Sequence, residues 1–317
     1  MANQKLDESA KGVFAISATP FTDDGAADRT STDRMVDFYL ESGVTGLTIL
    51  GVMGEAPKMS PDESSDFCDQ VLRRVDERVP VVVGVSAPSL NAIQSLTSRA
   101  MDFGASGVMV SPMAGLRTDE AIEGYFHMVC DALGDVPIVL QDYPPASGVH
   151  MSVPLLNRLF ADLPTLKILK HEDWPGLRKV TKFRAAESAG VHRRVSILVG
   201  NGALFLPQEL DRGVDGAMTG FAFPDMLVQV CEKHAAGDVQ GAEDLFDAYL
   251  PLVRYEQQLG IGLAIRKETM RRRGVIASAK TRAPGPSLDA DDHSELDHLF
   301  ERLKRRLGEL GVEAPAV

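Results

Sequence analysis

Cysteine and tryptophan are scarce in this sequence. It contains 3 cysteines and 1 tryptophan in 317 residues, and Cys68, Cys130 and Cys231 lie far apart without a C-x-x-C spacing. A disulfide framework and a cysteine-ligated metal site are therefore not expected. We interpret the cysteines as reduced, packed thiols of a cytoplasmic protein.

Long apolar runs are also missing. The sequence has no stretch of about 18 consecutive apolar residues, which a membrane-spanning helix requires. Residues 1–12 lack the apolar centre of a secretion signal. We therefore expect neither membrane insertion nor secretion.

Positive charge is in deficit. Lys and Arg number 33 against 45 Asp and Glu, which gives a formal net charge of -12. No basic stripe interrupts this balance, so neither nucleic acid nor an anionic membrane is an expected partner. The remaining composition, 44% hydrophobic and 25% charged residues, is ordinary for a large globular domain.

Short apolar runs alternate with segments of helical period through most of the chain. This pattern is typical of a parallel sheet built from βα units. Eight units within residues 1–235 match the size of a (βα)8 TIM barrel, an α/β fold. A doubly wound sheet is the alternative, although no G-x-G-x-x-G follows the first run. The predicted strands are 13–18, 46–50, 81–85, 107–110, 138–141, 166–170, 196–199 and 216–218.

Residues 236–317 show helical patterns alone, for example at Leu245, Phe246 and Tyr249. We interpret this region as a C-terminal helical subdomain appended to the barrel.

The sequence also predicts where helices begin within the barrel region. Ser60 and Glu63, which flank Pro61, predict a capping box at the start of one helix.

The polar residues that end the apolar runs are the candidate site, because barrel active sites form at the C-terminal ends of the strands. Lys170 ends the sixth run and shares a face with Leu166 and Ile168 under strand alternation. Desolvation of a lysine in the barrel mouth would lower its pKa and free a neutral nucleophilic amine. The alternative is a lysine that reaches out to solvent.

Two glycine-containing segments could bind an anion through backbone amides. One is Gly51-Val52-Met53-Gly54-Glu55 after the second run, and the other is Gly200-Asn201-Gly202 after the seventh. Each could equally be a tight turn. Thr19 and Thr219 follow the first and eighth runs and complete the predicted substrate-binding set.

Metal chemistry is not expected. His171-Glu172 does not continue into H-E-x-x-H, and we recognise no other grouping of His, Asp or Glu with metal-ligand spacing. We therefore predict no metal and no cofactor.

The assembled motifs resemble those of the dihydrodipicolinate synthase and N-acetylneuraminate lyase superfamily. The resemblance covers essentially the whole chain and rests on Thr19-Pro20-Phe21, Gly51-x-x-Gly54-Glu55, Ser147-Gly148 and Lys170. It implies a (βα)8 barrel with a C-terminal helical extension, assembled as a homo-oligomer, a tetramer or a dimer. It also implies that Lys170 forms an imine with a small-molecule 2-oxo acid whose carboxylate binds the amides of residues 51–55.

Several positions depart from the superfamily pattern. The usual Y-N-x-P segment reads Gln141-Asp142-Tyr143-Pro144, so glutamine replaces the tyrosine. Val52 and Met53 replace two threonines, and the arginine that binds a dicarboxylic substrate falls on Ala146. The tyrosine-threonine proton relay is therefore missing.

These departures resemble a subgroup, the L-2-keto-3-deoxyarabonate dehydratase-like proteins, which share the Q-D-x-P-x-S-G segment. The resemblance implies dehydration of a 2-keto-3-deoxy sugar acid or retro-aldol cleavage of a related 4-hydroxy-2-oxo acid. Alternatives are a condensation of the 4-hydroxy-tetrahydrodipicolinate synthase type, a catalytically silent barrel that binds a 2-oxo acid, and a metal-dependent lyase.

Three residues near Lys170 are candidates for the remaining catalytic roles. Glu172 shares the parity of Lys170 and could transfer protons or serve as its ion-pair partner. Tyr143 could also act in the site, although alternation favours packing beneath Pro144. Gln141 can hydrogen-bond a substrate but cannot transfer protons at neutral pH.

Overall fold

The computed structural model describes residues 5–317. Residues 1–4, the start of the segment in which no secretion signal is expected, lie outside the described residues. Eight parallel strands close into a barrel in chain order. The predicted TIM barrel is confirmed, and the doubly wound alternative is wrong because the first strand pairs with the eighth. The strands are β1 Gly12–Ile16, β2 Gly46–Ile49, β3 Val81–Gly84, β4 Gly107–Val110, β5 Ile138–Asp142, β6 Leu166–His171, β7 Ser196–Val199 and β8 Gly216–Thr219.

Three strands, β5, β6 and β8, extend one residue beyond their predicted ends, and the last residues of β5 and β6 pair with each other. Gln141 is in register with Lys170, and Asp142 with His171. Further back, the register shifts so that Ile138 pairs with Leu166 and Val139 with Ile168. Ile168 therefore lies inside the barrel, whereas Leu166 belongs to the outer layer. The prediction that Leu166 shares a face with Lys170 is wrong for this reason.

The barrel interior is filled by apolar side chains and is not an open channel. Leu6 and Met53 contribute from outside the strands. Burial of each such side chain stabilises the fold by about 1.5–3 kcal/mol. The strand residues of the interior are Phe14, Ile16, Val82, Met109, Val139, Ile168, Leu198 and Met218.

Helices cover the outside of the barrel. The predicted capping box is confirmed: the Glu63 amide donates to Ser60 Oγ over 3.2 Å, and the Ser60 amide donates to Glu63 Oε2 over 2.8 Å. The helices are α1 Arg29–Glu41, α2 Pro61–Val75, α3 Leu90–Asp102, α4 Asp119–Leu133, α5 Pro144–Ser147, α6 Val153–Asp162, α7 Gly176–Ser188, α8 Leu206–Leu210 and α9 Pro224–Ala235.

Three further helices follow the barrel: α10 Val239–Glu256, α11 Gly262–Arg272 and α12 Ala290–Glu309. Helix α10 packs against α9, α11 and α12. Their apolar faces share one hydrophobic core with the outer layer of the barrel. The predicted boundary between residues 235 and 236 coincides with the end of α9, but it does not separate two hydrophobic cores.

None of the helices among the described residues combines the length and the apolar character needed to cross a membrane. The three cysteines carry free thiols. Cys68 and Cys130 are buried, and burial raises the pKa of Cys68 to about 12.

Candidate active site

A cavity of about 480 Å³ opens at the C-terminal ends of the strands. It brings together most of the residues that the sequence predicts for the site. Thr19, Gly54 and Gly200 do not line it. The predicted residues that do are Gly51, Val52, Met53, Glu55, Gln141, Tyr143, Lys170, Glu172, Asn201 and Thr219.

Lys170 lies inside this cavity near the end of β6. It is 4% exposed, so the alternative in which it reaches out to solvent is wrong. Its Nζ donates a hydrogen bond to Glu172 Oε1 and lies 5.9 Å from the centre of the Tyr143 ring. A buried amine beside a carboxylate can pass its proton to that carboxylate and attack a carbonyl carbon.

Glu172 connects three sides of the cavity. Gln141 Nε2 donates to its Oε1 over 3.0 Å, and the Asn201 amide donates to its Oε2 over 3.3 Å. Asn201 Nδ2 also donates to the Glu172 carbonyl oxygen over 2.8 Å. Both functions considered for Glu172 remain open, since the ion pair with Lys170 is formed and the carboxylate also faces the cavity.

The turn after β2 is the candidate site for a substrate carboxylate. Val52–Gly54 form a 3₁₀ helix in which the Gly54 amide donates to Gly51 O and the Glu55 amide to Val52 O. The amides of Val52 and Met53 begin this helix and have no acceptor within it. The sequence predicts that the amides of residues 51–55 bind the carboxylate. Those of Gly54 and Glu55 already donate hydrogen bonds within the turn and are not available for it.

Thr19 and Glu55 support this turn from behind. Thr19 Oγ1 donates to the Gly54 carbonyl oxygen over 2.6 Å. The Glu55 carboxylate accepts from Lys267 Nζ over 2.6 Å, from Lys58 Nζ over 2.9 Å and from the Arg282 amide over 2.9 Å. Burial lowers the pKa of Lys267, an effect that its hydrogen bond with Glu55 opposes.

Tyr143 lines the cavity together with Gln141, which lies two residues earlier and therefore on the same face of the chain. The expectation that alternation turns Tyr143 away from the cavity is wrong for that reason. Desolvation raises the pKa of the Tyr143 phenol, and the Glu172 charge adds to the effect.

Sequence reasoning missed the roof of the cavity, which comes from the C-terminal helices. Gln257, Gln258 and Leu259, between α10 and α11, line the cavity together with the buried Glu256 and Arg266. Arg266 Nε donates to Glu256 Oε1 over 2.6 Å. The Gly260-x-Gly262 turn was a usable signal, because glycines here interrupt an otherwise helical region.

Sequence reasoning also overlooked one grouping with metal-ligand spacing. Glu123 and His127 lie one turn apart on α4, and Asp162 at the end of α6 completes a cluster with ligand atoms within 4.8 Å of one another. Arg158 already holds Glu123 through Nε at 3.1 Å and Nη2 at 2.9 Å. None of the three acidic and histidine residues lines the cavity.

His171 points away from the cavity lysine. Its Nδ1 lies 3.4 Å from Asp142 Oδ2, and its Nε2 lies 3.3 Å from the Gly176 carbonyl oxygen. A second cavity of about 320 Å³, lined in part by His171, Glu172 and Asn201, does not include Lys170. The chemistry proposed for Lys170 therefore belongs to the larger cavity.

Comparisons with known proteins agree with this geometry. The family model described as the dihydrodipicolinate synthetase family matches residues 9–303. L-2-keto-3-deoxyarabonate dehydratase of Azospirillum brasilense is 34% identical over 297 residues, which cover 92% of this chain and 94% of that protein. 4-Hydroxy-tetrahydrodipicolinate synthase of Persephonella marina is 28% identical, with coverage of 77% and 82%.

A solved structure extends the comparison to three dimensions. The crystal structure of dihydrodipicolinate synthase from Rhodopseudomonas palustris superposes with a TM-score of 0.92 at 47% identity and covers 94% of this chain and 99% of its own. The similarity thus extends over the barrel and most of the C-terminal helices. The chain belongs to the dihydrodipicolinate synthetase family.

Proposed function

We propose that this family member is a Schiff-base-forming lyase that dehydrates a 2-keto-3-deoxy sugar acid. The observation that carries the proposal is the contact between the buried Lys170 amine and the Glu172 carboxylate. The identity to L-2-keto-3-deoxyarabonate dehydratase supports the choice of substrate class.

In the proposed reaction, Lys170 Nζ attacks the C2 carbonyl of the substrate. Loss of water from the resulting carbinolamine gives a protonated imine. The amides of Val52 and Met53 hold the C1 carboxylate, and Gln141 donates to a substrate oxygen. No cofactor is required, because the imine itself accepts the electrons released at C3.

Glu172 performs the proton transfers in this scheme. Its carboxylate takes a proton from C3, which gives an enamine, and then returns a proton to the departing C4 hydroxyl, which leaves as water. Tautomerisation and hydrolysis of the imine release a 2,5-dioxo acid and regenerate Lys170. Substrate and product then differ by one molecule of water.

Retro-aldol cleavage would use the same lysine and the same enamine, but it breaks the C3–C4 bond and releases pyruvate. The two outcomes are separated by their products. An assay of 2-keto-3-deoxy sugar acids that measures both pyruvate and the 2,5-dioxo acid therefore tests the proposed reaction, and release of pyruvate alone contradicts dehydration.

A synthase-type aldol condensation is the second candidate, since the Rhodopseudomonas palustris structure carries that name at 47% identity. Ala146, however, lines the cavity where a cation would serve a dicarboxylic substrate. Consumption of pyruvate in a condensation, without dehydration of sugar acids, would favour this candidate.

Imine formation is tested by borohydride reduction in the presence of pyruvate, followed by mass mapping of the modified peptide. We expect a pyruvate adduct on Lys170 and none in Lys170→Ala. A thermal shift with 2-oxo acids but no adduct and no product would identify a silent binding barrel.

A homo-oligomer is expected from the resemblance, and light scattering measures its size.

A further inference from the structure

Successive side chains of a β-strand point to opposite faces, so the residues next to the catalytic candidates of β5 and β6 face outward. Gln141, Lys170 and Glu172 line the cavity. Their chain neighbours form a second group on the other side of the strands, which we call the outer cluster. The outer cluster consists of the chain neighbours Asp142, His171 and Asp173 together with Lys179 of α7, which contacts both aspartates.

The outer cluster is buried and charged. Asp142 is 0% exposed, and Asp173 and Lys179 are 9% exposed. Lys179 projects from the first turn of α7, and its Nζ donates to Asp142 Oδ2 over 2.6 Å and to Asp173 Oδ2 over 2.9 Å. One cation thus bridges the end of β5 to the residue that follows Glu172.

Lys179 contacts both carboxylates, and it is the single hydrogen-bond donor to the Asp142 side chain within residues 5–317, where Asp142 Oδ1 has no partner. The Asp173 carboxylate also accepts from the Trp174 amide over 2.8 Å and lies 3.1 Å from His150 Nδ1. Burial acts to raise the pKa of Asp173, but the hydrogen bond and charge of Lys179, together with Trp174 and His150, hold that pKa below its usual value. Without Lys179, two buried carboxylates would lie near each other without a shared cation.

The backbone of Glu172 is connected to this bridge. Glu172 lies one residue beyond β6, where its amide donates to the Asp142 carbonyl oxygen over 3.0 Å and its own carbonyl oxygen accepts from Asn201 Nδ2. Asp142 and the adjacent Asp173 thus flank Glu172, and Lys179 joins their carboxylates. Lys170, in contrast, lies within β6 and pairs with both neighbouring strands.

We propose that Lys179 is a positioning residue that holds the Glu172 carboxylate at the distance from Lys170 required for proton transfer. The inference rests on the proposed function, in which Glu172 moves the C3 proton. It predicts that the loss of Lys179 impairs proton transfer while imine formation is retained.

Pyruvate alone separates the two steps. Borohydride trapping of pyruvate measures imine formation at Lys170, and exchange of the pyruvate C3 hydrogens in D2O measures proton removal through the enamine. We expect Lys179→Met to be trapped at nearly the wild-type level but to exchange about ten- to a hundredfold more slowly, because small displacements of a catalytic group carry costs of this size. Lys179→Arg should restore much of the exchange.

Controls separate positioning from general destabilisation. Lys182→Met removes an exposed lysine from the same helix and should leave both measurements unchanged. Asp173→Asn breaks the bridge but leaves Lys179 paired with Asp142, so it should fold and show the same selective loss of exchange. Lys179→Met in a Glu172→Gln background should add less than about a twofold loss, since both act on one step.

The inference is overturned if Asp173→Asn and folded Lys179→Met both exchange at the wild-type rate, or if trapping and exchange fall by equal factors. It is also overturned if the losses from Lys179→Met and Glu172→Gln multiply. Failure of the proposed function is distinct, because it appears as an absence of trapping and exchange in the wild-type enzyme.

Discussion

The Glu172 carboxylate is hydrogen-bonded to the Lys170 amine two residues away, on the same side of the chain and inside the cavity. Glu172 is 6% exposed and accepts further hydrogen bonds from Gln141 and Asn201. The carboxylate is therefore placed to receive the proton that Lys170 must lose before it can attack a carbonyl. The same group can then act on the substrate, which explains how a site without the tyrosine relay could still transfer protons.

The first prediction concerns this pair. Glu172→Gln should slow exchange of the pyruvate C3 hydrogens by about 10²- to 10⁴-fold, because it removes a general acid-base group while retaining the size of the side chain. Pyruvate should still be trapped on Lys170 by borohydride, although more slowly. Mass spectrometry of the exchanged pyruvate measures the effect.

Glu172→Asp serves as the matched variant for that test. It keeps the carboxylate but shortens its reach, so its exchange rate should lie between those of wild type and Glu172→Gln. If Glu172→Gln exchanged as fast as wild type, Glu172 would be an ion-pair partner and another group would move the proton.

The sequence predicts the polar strand ends well because apolar runs mark β-strands that are covered on both sides. Lys170, Glu172 and Gln141 meet in the cavity for that reason. Tyr143 was misjudged because it lies two residues after Gln141, and alternation therefore places it on the same, cavity-facing side.

The residues that form the roof of the cavity could not be predicted from hydrophobic patterns in the sequence. Arg266 and Lys267 lie on α11, about 100 residues after Lys170 in the chain, and their partners are Glu256 and Glu55. Periodicity identifies α11 as a helix but does not indicate which barrel loop it contacts. The Lys267–Glu55 contact in particular joins residues 212 apart in sequence and depends on the packed fold.

The second prediction tests the support of the carboxylate-binding turn. Thr19→Val should weaken pyruvate binding by about two- to tenfold, because it removes the hydrogen bond to the Gly54 carbonyl oxygen that holds the turn. The rate of C3 exchange at saturating pyruvate should remain close to that of wild type. Thr19→Ser keeps the hydroxyl and should retain wild-type binding. An unchanged KM in Thr19→Val would show that the turn is held without Thr19.

The third prediction concerns pH and stability. Burial raises the pKa of Glu209 to about 8 in the folded chain, from a usual value of 4.5. The folded state therefore binds more protons than the unfolded state between these values, and its stability falls as pH rises through this window. Glu209→Gln removes the titration and should raise Tm relative to wild type near pH 8.

The difference between Glu209→Gln and wild type should shrink as the pH approaches 5, because the carboxyl then begins to be protonated in the unfolded state as well as in the folded state. Glu232→Gln, a substitution at an exposed glutamate of α9, provides the control and should show little change with pH. Thermal unfolding at pH 5, 6, 7 and 8 measures the trend. A pH-independent difference would show that folding does not raise the pKa of Glu209.

The fourth prediction concerns Gly220, which follows β8. A Cβ at this position would lie 1.7 Å from Arg266 Nη1, and the Gly220 carbonyl oxygen accepts from Arg266 Nη2 over 2.7 Å. Gly220→Ala must therefore displace a guanidinium that is 1% exposed and paired with the buried Glu256. Disruption of such a pair costs about 3–5 kcal/mol.

Gly124 provides the opposite case for the same measurement. It lies on the exposed side of α4, where a Cβ meets no atom within 4 Å, so Gly124→Ala should stabilise the fold by about 0.5–1 kcal/mol. Urea unfolding of both variants compares the two environments directly. Because Arg266 also lines the cavity roof, Gly220→Ala should additionally weaken binding of sugar acids more than binding of the smaller pyruvate. Equal stability of Gly220→Ala and wild type would mean that Arg266 can leave Glu256 at little cost, and the roof would then be a movable element of the site.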